Sequence, residues 1–400
     1  YDPIAFMVKA AHERNLEFHA WVNPFRAVSH VKFTQLADNH ISLRHPHWFF
    51  TYGNARYFNP GVPGVRDYLS CVVLDIAQRY DIDGLHFDDY FYPYPAPGMR
   101  INDLSSYAHF RGDHNSLATW RRSNIDAFIQ QIGDSLRKHT PKVKFGISPP
   151  AVWRNKREDP KGSETQANLC AYDHLFADSR RWLQEGWVDY LAPQCYHHHR
   201  FNKARFPKLV EWWSENAAGR HVYIGHAAYK VKEGRWPAWR RKSELPDQIT
   251  LTRTHTGTRG SILYRAGSLD GNPRKLQSQL TEVLYAQLAL PPRMPWKDDV
   301  PPLAPAALRQ EGAQLSWRPG PAASDGEMAW KYAIYRFPNK KRVDIEQSKY
   351  LLGFAREPSF TDLSPKESET KYAVTALDRL GNESEPVLAN EALVAQTLIP

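Results

Sequence analysis

Asp83-Gly84-Leu85-His86-Phe87-Asp88-Asp89-Tyr90-Phe91-Tyr92-Pro93 reads as a short buried strand that runs out into a polar, aromatic loop. Side chains alternate across a strand, so Leu85 and Phe87 share one face, His86 and Asp88 share the other, and Asp89 lies in the loop beyond. A helix-period segment, Val65 to Tyr80, precedes this strand, and the same alternation extends in both directions. Before it come a helix at about 3 to 14, a strand from Leu16 to Val22 and a weak strand from Trp48 to Phe58. After it come helix 116–138 and strand 143–148, helix 174–185 and strand 188–194, then helix 205–217 and strand 221–226. Helix 244–255, strand 260–264 and helix 273–286 complete the series.

Such alternation predicts a parallel sheet, and at this length a TIM (β/α)8-type barrel suits it better than an open sheet. The count is seven strands, and the chain opens on a helix. The expectation is therefore that the barrel's first strand, with its loop, belongs upstream of Tyr1. Residues 1–290 form the expected barrel domain. The run from Pro291 to about Pro305 holds six prolines, which no helix or central strand accommodates, so 291–304 reads as a linker. Beyond it, 305–400 carries short alternating strands at 314–317, 331–337, 359–362, 370–376 and 391–396, the pattern of a small antiparallel β-sandwich.

Composition bounds the function classes. Four hundred residues with 42% hydrophobic content exclude a disordered or fibrous chain. No apolar run is long enough for a membrane-spanning helix, and the amino terminus has neither the basic flank nor the apolar stretch of a secretory signal. The formal charge of +9 favours polyanions, yet the basic clusters Arg240-Arg241-Lys242 and Lys340-Lys341-Arg342 are short, so solvated surface is the reading and no nucleic-acid partner is expected. Three cysteines without CxxC spacing suggest buried thiols and no thiolate metal site. The 13 Trp and 20 Tyr point weakly to carbohydrate, because flat amphipathic rings stack on sugar faces.

In a βα barrel the reacting groups sit at the carboxyl ends of the strands. Asp88 and Asp89 at one such end suit glycosidic cleavage, which needs a carboxylate near an oxocarbenium-like centre and an acid for the leaving oxygen. The alternative is that both cap the next turn. His86, Tyr90 and Tyr92 lie beside them. His19-Ala20-Trp21-Val22-Asn23-Pro24-Phe25-Arg26 ends another strand, with Trp21 and Asn23 on one face, Asn23 able to bond a hydroxyl and Arg26 a carboxylate; a core Trp with an Asn-Pro turn fits equally. Trp153, Arg154 and Asn155 follow the strand at 143–148, and Gln194 and Tyr196 point one way after the strand at 188–194. His197-His198-His199 cannot all face one ion from a regular element, and with no HExxH pattern no metal or other cofactor is expected.

These segments carry a resemblance. Phe18 to Pro24, Phe87 to Tyr92, Phe145 to Pro149 with Val152 to Asn155, Tyr190 to Gln194 and Tyr223 to Gly225 are similar, in order, to the glycosyl-hydrolase-like family 10. This is the DUF187 group of bacterial envelope proteins, with its DigH-type enzymes. The resemblance implies a TIM barrel acting on glycan, for some members the peptide-free strands of peptidoglycan, in the periplasm or at the cell surface and often as lipoproteins. It places the family's Asp-Asp pair on Asp88 and Asp89, its Trp-x-Asn-Pro on Trp21, Asn23 and Pro24, and the following Arg on Arg26. Its Trp-Arg-Asn block falls on Trp153, Arg154 and Asn155, and its Pro-Gln-x-Tyr on Pro193, Gln194 and Tyr196. The chain departs from the family at His197 to His199 and at His226-Ala227-Ala228. In the carboxy-terminal segment, Leu315-Ser316-Trp317, Tyr332 to Arg336 and Lys371 to Asp378 resemble a fibronectin type III module, with Trp317 in its core and Tyr372 as a corner tyrosine.

The expected activity is thus a glycoside hydrolase with Asp88 as nucleophile or charge stabiliser, Asp89 or a second carboxylate as acid/base, and Trp21, Tyr90, Tyr92 and Trp153 as sugar platforms. The rivals are a lectin-like barrel that binds glycan without cleaving it, and a surface protein that holds anionic wall polymer through its charge.

Overall fold

The computed structural model describes residues 1–338, 341–364 and 370–389, so the strand expected at 391–396 lies outside the described residues. The chain divides into two compact units, Phe18–Leu280 and a second composed of Tyr1–Glu17 with Thr281–Pro400.

The first unit is built on a six-stranded parallel sheet. Its strands, in both chain and spatial order, are β1 (His19–Val22), β5 (Gly84–Phe87), β6 (Lys144–Ile147), β7 (Tyr190–Leu191), β8 (His221–His226) and β9 (Gly260–Leu263). The weak strand expected at 48–58 is instead a hairpin of β3 (Phe49–Tyr52) and β4 (Ala55–Phe58), paired with β2 (Arg26–Val28) in a separate antiparallel sheet. Its cause is local: Tyr52 pairs with Ala55 across Gly53-Asn54, and Gly53 adopts the positive φ of 60° that a two-residue hairpin loop requires. The seven expected strands therefore become six. Strand β7 is short because Pro193 has no N–H to give the ladder, and pairing resumes only as single bridges from Gln194 to Pro150 and to Gly225.

Register sorts the side chains. His19 pairs with Gly84, Trp21 with His86, His86 with Gly146 and Gly146 with Tyr190, which puts these residues on one face. The opposite face carries Leu85, Phe87, Phe145, Ile147 and Leu191, all buried. It is covered by helices, as where Phe87 stacks on Phe128 of the helix Leu117–His139 with 5.9 Å between centroids. The first face is polar and crowded with rings, which explains two glycines inside strands. A Cβ on Gly84 would stand 2.3 Å from the His19 ring, and one on Gly146 only 2.0 Å from the Tyr190 ring. Gly146→Ala should therefore evict Tyr190 and cost roughly 1–3 kcal/mol or more in overpacking, read as a lower melting temperature. An unchanged melting curve would show that Tyr190 has another place to go.

The helix expected at 174–185 is two helices, Ala171–His174 and Ser179–Gln184, with Phe176 at φ 55° between them and the Asp178 carboxylate accepting from Arg181 N to start the second. The helix expected at 273–286 is a series of short turns. Of the three cysteines, Cys170 and Cys195 are buried, whereas Cys71 is exposed, contrary to the expectation for buried thiols.

The second unit holds two antiparallel sheets. One is β10 (Ala306–Glu311), β11 (Gln314–Arg318) and β14 (Ser359–Thr361); the other is β13 (Leu351–Ala355), β12 (Lys331–Pro338), β15 (Thr370–Leu377) and β16 (Val387–Leu388). Leu308, Leu315 and Trp317 from the first sheet share one buried cluster with Tyr332, Ile334, Tyr372 and Val374 from the second. The Tyr372 hydroxyl donates to Asp362 at 2.8 Å. The amino-terminal helix Pro3–His12 groups with this unit and not with the parallel sheet, because the His12 ring meets Trp330 edge-on at 5.6 Å and Asn15 Nδ2 reaches the Phe354 carbonyl at 3.5 Å. No helix among the described residues is long and apolar enough to cross a membrane.

Candidate active site

Strand β5 delivers Asp88 to the carboxyl end of the parallel sheet, where its backbone N–H donates to the Val22 carbonyl of β1 at 3.4 Å. The Asp88 Oδ1 accepts from its neighbour's backbone N–H at 2.9 Å and from Gln194 Nε2 at 3.1 Å. Gln194 Nε2 also donates to the Ser148 carbonyl at 2.9 Å, so the ends of β5, β6 and β7 converge on one carboxylate. Asp89 turns inward. It is only 2% exposed, and the Tyr94 hydroxyl donates to its Oδ2. The Arg26 guanidinium lies 3.9 Å from the centre of the Tyr90 ring, and its charge favours the ionised form of Asp88.

Burial decides the protonation of this pair. It raises the Asp88 carboxyl above the usual carboxylate range, against the opposing pull of the Asp89 amide, Arg26 and Gln194. Burial first, and the Asp88 charge second, push Asp89 up to about 7. The two side chains lie within hydrogen-bonding reach of each other, and Asp89 keeps its proton up to about pH 7 with the Asp88 charge beside it.

Behind the carboxylates stands a fixed polar layer. The Tyr190 hydroxyl lies 2.9 Å from His86 Nδ1 and 2.8 Å from His19 Nδ1, while His86 Nε2 bonds Ser148 Oγ. Burial, then the neighbouring His19, lowers His86 to about 3, so its ring is neutral at physiological pH and orients the site without adding charge. Tyr94, Ser148, Tyr190 and His19 were not expected as site residues. The strand glycines Gly84 and Gly146 were the available signal, since they leave room for large inward rings.

Several expected platforms are placed otherwise. Trp21 is 57% exposed and shares the face of its register partner His86, as a stacking surface requires. Asn23 Oδ1, just beyond it, is buried without a hydrogen-bond partner among the described residues, an acceptor poised for a donor. Trp153, in contrast, is 4% exposed: its indole N–H donates to Asp178 at 2.8 Å and its ring stacks on Trp212 at 5.9 Å. The ring is core, because the loop after β6 folds back onto the helices. Arg154 is held there by Asp159 and Asp173 at 3.1 and 3.0 Å. Asn155 accepts from Thr165 Oγ1 and Ala167 N, both at 2.8 Å, and organises the same loop. Tyr92 is fully buried beneath Arg121 and offers no face to a sugar. Tyr90 is half-buried with one face under Arg26.

Beyond Gln194, the expected Tyr196 gathers two rings that the sequence did not point to, Tyr229 and Tyr264, at the ends of β7, β8 and β9. The Tyr196 ring stacks on Tyr264 with 6.0 Å between centroids and meets Tyr229 edge-on at the same distance. Burial, and then the charge of Asp88, hold the Tyr196 phenol protonated, and Gln194, two residues before it, bonds Asp88. Of the three histidines, His199 Nδ1 pairs with the buried Glu244 at 2.8 Å, and His197 stacks on Phe201 at 5.0 Å between ring centres.

Comparison with known proteins bears on this arrangement. Glycosyl hydrolase YngK of Bacillus subtilis is 39% identical over 399 residues, 96% of this chain and 77% of its own length. Glycosyl hydrolase DigH of Escherichia coli K12 is 36% identical over 286 residues, 68% of this chain; the match spans 65% of that protein. Among solved structures, the glycoside hydrolase domain of PgaB (BpsB) from Bordetella bronchiseptica superposes at a TM-score of 0.43 with 14% identity, covering 70% of this chain and 78% of that one. The sequence profile described as Glycosyl hydrolase-like 10 matches residues 1–239. With that match spanning more than half the sequence and two relatives above 30% identity, this chain belongs to the glycosyl hydrolase-like 10 family.

Proposed function

We propose that the chain hydrolyses glycosidic bonds in a bacterial envelope glycan, with peptide-free peptidoglycan strands as the substrate class, at the Asp88–Asp89 pair. The observation that carries this reading is the pair itself: two adjacent carboxyls at a strand end, Asp88 held by Gln194 and Asp89 buried against Tyr94, with an exposed Trp21 on the neighbouring strand. Family membership supports the reaction class. The parallel sheet is taken as part of a TIM-type barrel and the carboxy-terminal sheets as a fibronectin type III-like spacer.

Asp89 is too buried to touch a glycosidic oxygen, so the expected direct role as acid passes to Asp88, the more accessible member. Asp89 passes its proton to Asp88, which delivers it to the leaving oxygen as the C1–O bond breaks. Both carboxylates are then charged beside the oxocarbenium-like carbon, which is where negative charge helps. Water adds to C1, and the proton it loses returns to the pair. Gln194 and Arg26 hold Asp88 in place, and Asn23 accepts from a sugar hydroxyl.

The test is incubation with peptide-free peptidoglycan oligosaccharides, with products identified by mass, across pH. Because the pair must keep its proton, kcat/KM should fall as pH rises through about 7. The stability effect has the same sign. Asp89 binds a proton in the folded state that the unfolded chain has already lost above about pH 4, so its contribution to stability declines between about 4 and about 7. Activity that holds level to pH 9 would remove the pair from the mechanism. Binding without cleavage at any pH would favour the lectin.

A further inference from the structure

Lys230, in the helix Ala228–Glu233 that follows β8, is half-buried and forms no ion pair among the described residues. Its Nζ donates to the Tyr196 carbonyl at 2.6 Å. Three rings surround it, with centres 5.8 Å away at Tyr229, 5.1 Å at Trp236 and 5.7 Å at Trp239. Aromatic faces stabilise a cation but leave its N–H groups unspent, and an ammonium has three. Only one is used here. Glu233, further along the same helix, favours the charge without forming an ion pair, yet burial outweighs it and pulls this group's pKa below the usual lysine value.

Position supplies the rest. Tyr196 links the two sites: its carbonyl holds Lys230 at 2.6 Å, and Gln194, two residues before it, donates to Asp88 at 3.1 Å. Beside the lysine Trp236 is 39% exposed, and Tyr264, whose ring meets both Tyr196 and Tyr229, is 47% exposed, which are surfaces suited to sugar rings. A stacking surface and an ammonium without an ion pair among the described residues, joined through Tyr196 and Gln194 to Asp88, define a subsite for a sugar that bears a negative charge.

We infer that Lys230 is a specificity residue that binds the carboxylate of an acidic sugar held between Tyr264 and Trp236, one subsite along from Asp88. The inference rests on the proposed glycan substrate and names which glycans the site prefers. A neutral glycan fills the same rings but leaves the ammonium unanswered.

The experiment measures binding in the full chain carrying Asp88→Asn, so that nothing is consumed. The probes are a peptide-free tetrasaccharide alternating N-acetylglucosamine and N-acetylmuramic acid, and chitotetraose, its neutral counterpart. The parent should bind the acidic probe about tenfold more tightly or better, with the preference shrinking at high salt. Lys230→Gln should bind both probes alike at the parent's affinity for chitotetraose, and Lys230→Arg should restore the preference. A parent without preference, or one that binds neither probe, overturns the inference. So does a Lys230→Gln chain that keeps the preference, or that loses chitotetraose and melts early, because the lysine is then a structural clip. Cleavage is scored separately with the unsubstituted chain. If it cleaves neither probe, the hydrolase reading fails while the binding comparison still decides the lysine.

Discussion

Asp88→Asn should leave the melting temperature close to that of the parent while lowering kcat on peptide-free peptidoglycan oligosaccharides by about a thousandfold. The amide is nearly the same shape, and its oxygen can still accept from the Asp89 N–H and from Gln194 Nε2, the two bonds that locate the carboxylate now. What it cannot do is carry the shared proton or become an anion beside a positive carbon. A second readout isolates the electrostatic cause. The Asp88 charge is the second-largest reason for the raised pKa of Asp89, so removing it should draw Asp89 down from about 7, with burial keeping it above an ordinary carboxylate. Carboxyl infrared absorption followed across pH reports that shift directly. Full activity in the variant would end the assignment, and an unmoved Asp89 would show that the two groups do not share a proton.

How far the sequence carried this site depends on the distance over which each residue's role is decided. The strand Gly84–Phe87 was legible because alternation is local: the faces of Leu85, His86 and Phe87 follow from the period of a strand. The position of Asp88 at its exit followed too. The hairpin at Phe49–Phe58 had a signal in Gly53-Asn54, but ten aromatic-rich residues also fit one long strand, and counting them as one produced a seventh member for the sheet. The short pairing of β7 and the break at Phe176 depend on how Pro193 and Asp178 meet their surroundings, which periodicity does not register.

The inward layer illustrates the limit. Tyr190 could be placed on a strand from the sequence, but its bonds to His19 and His86 join positions 171 and 104 residues away. Lys230 was passed over although Tyr229, Trp236 and Trp239 are its near neighbours in the chain, because its bond to the Tyr196 carbonyl comes from another strand end. Trp153, Arg154 and Asn155 show the opposite error. A Trp-Arg-Asn block just past a strand end has the residue types of a sugar site, and the partners that make it structural, Asp178, Asp173 and Ala167, come from the turns that follow.

The two exposed-site tryptophans expected from the sequence should therefore part company on truncation. Trp153→Ala removes a ring that is 4% exposed, stacked on Trp212 and bonded through its N–H to the carboxylate that starts the helix Ser179–Gln184. The cavity should cost about 3–5 kcal/mol, which for a unit of this size lowers the melting temperature by on the order of 10 °C. Any loss of glycan affinity should then vanish when measured well below the new melting point. Trp21→Ala removes a ring that is 57% exposed on the face shared with His86, so little packing is lost and stability should move by about 0.5 kcal/mol or less. Its effect belongs in binding, where losing one stacking face should weaken an oligosaccharide about fivefold. Measuring both quantities on both variants separates the roles, because a core ring and a platform ring respond on different axes. A Trp21→Ala chain that melts early and binds normally would make Trp21 a packing residue, and the cleft would then have to draw its stacking surface from Tyr196, Tyr264 and Trp236.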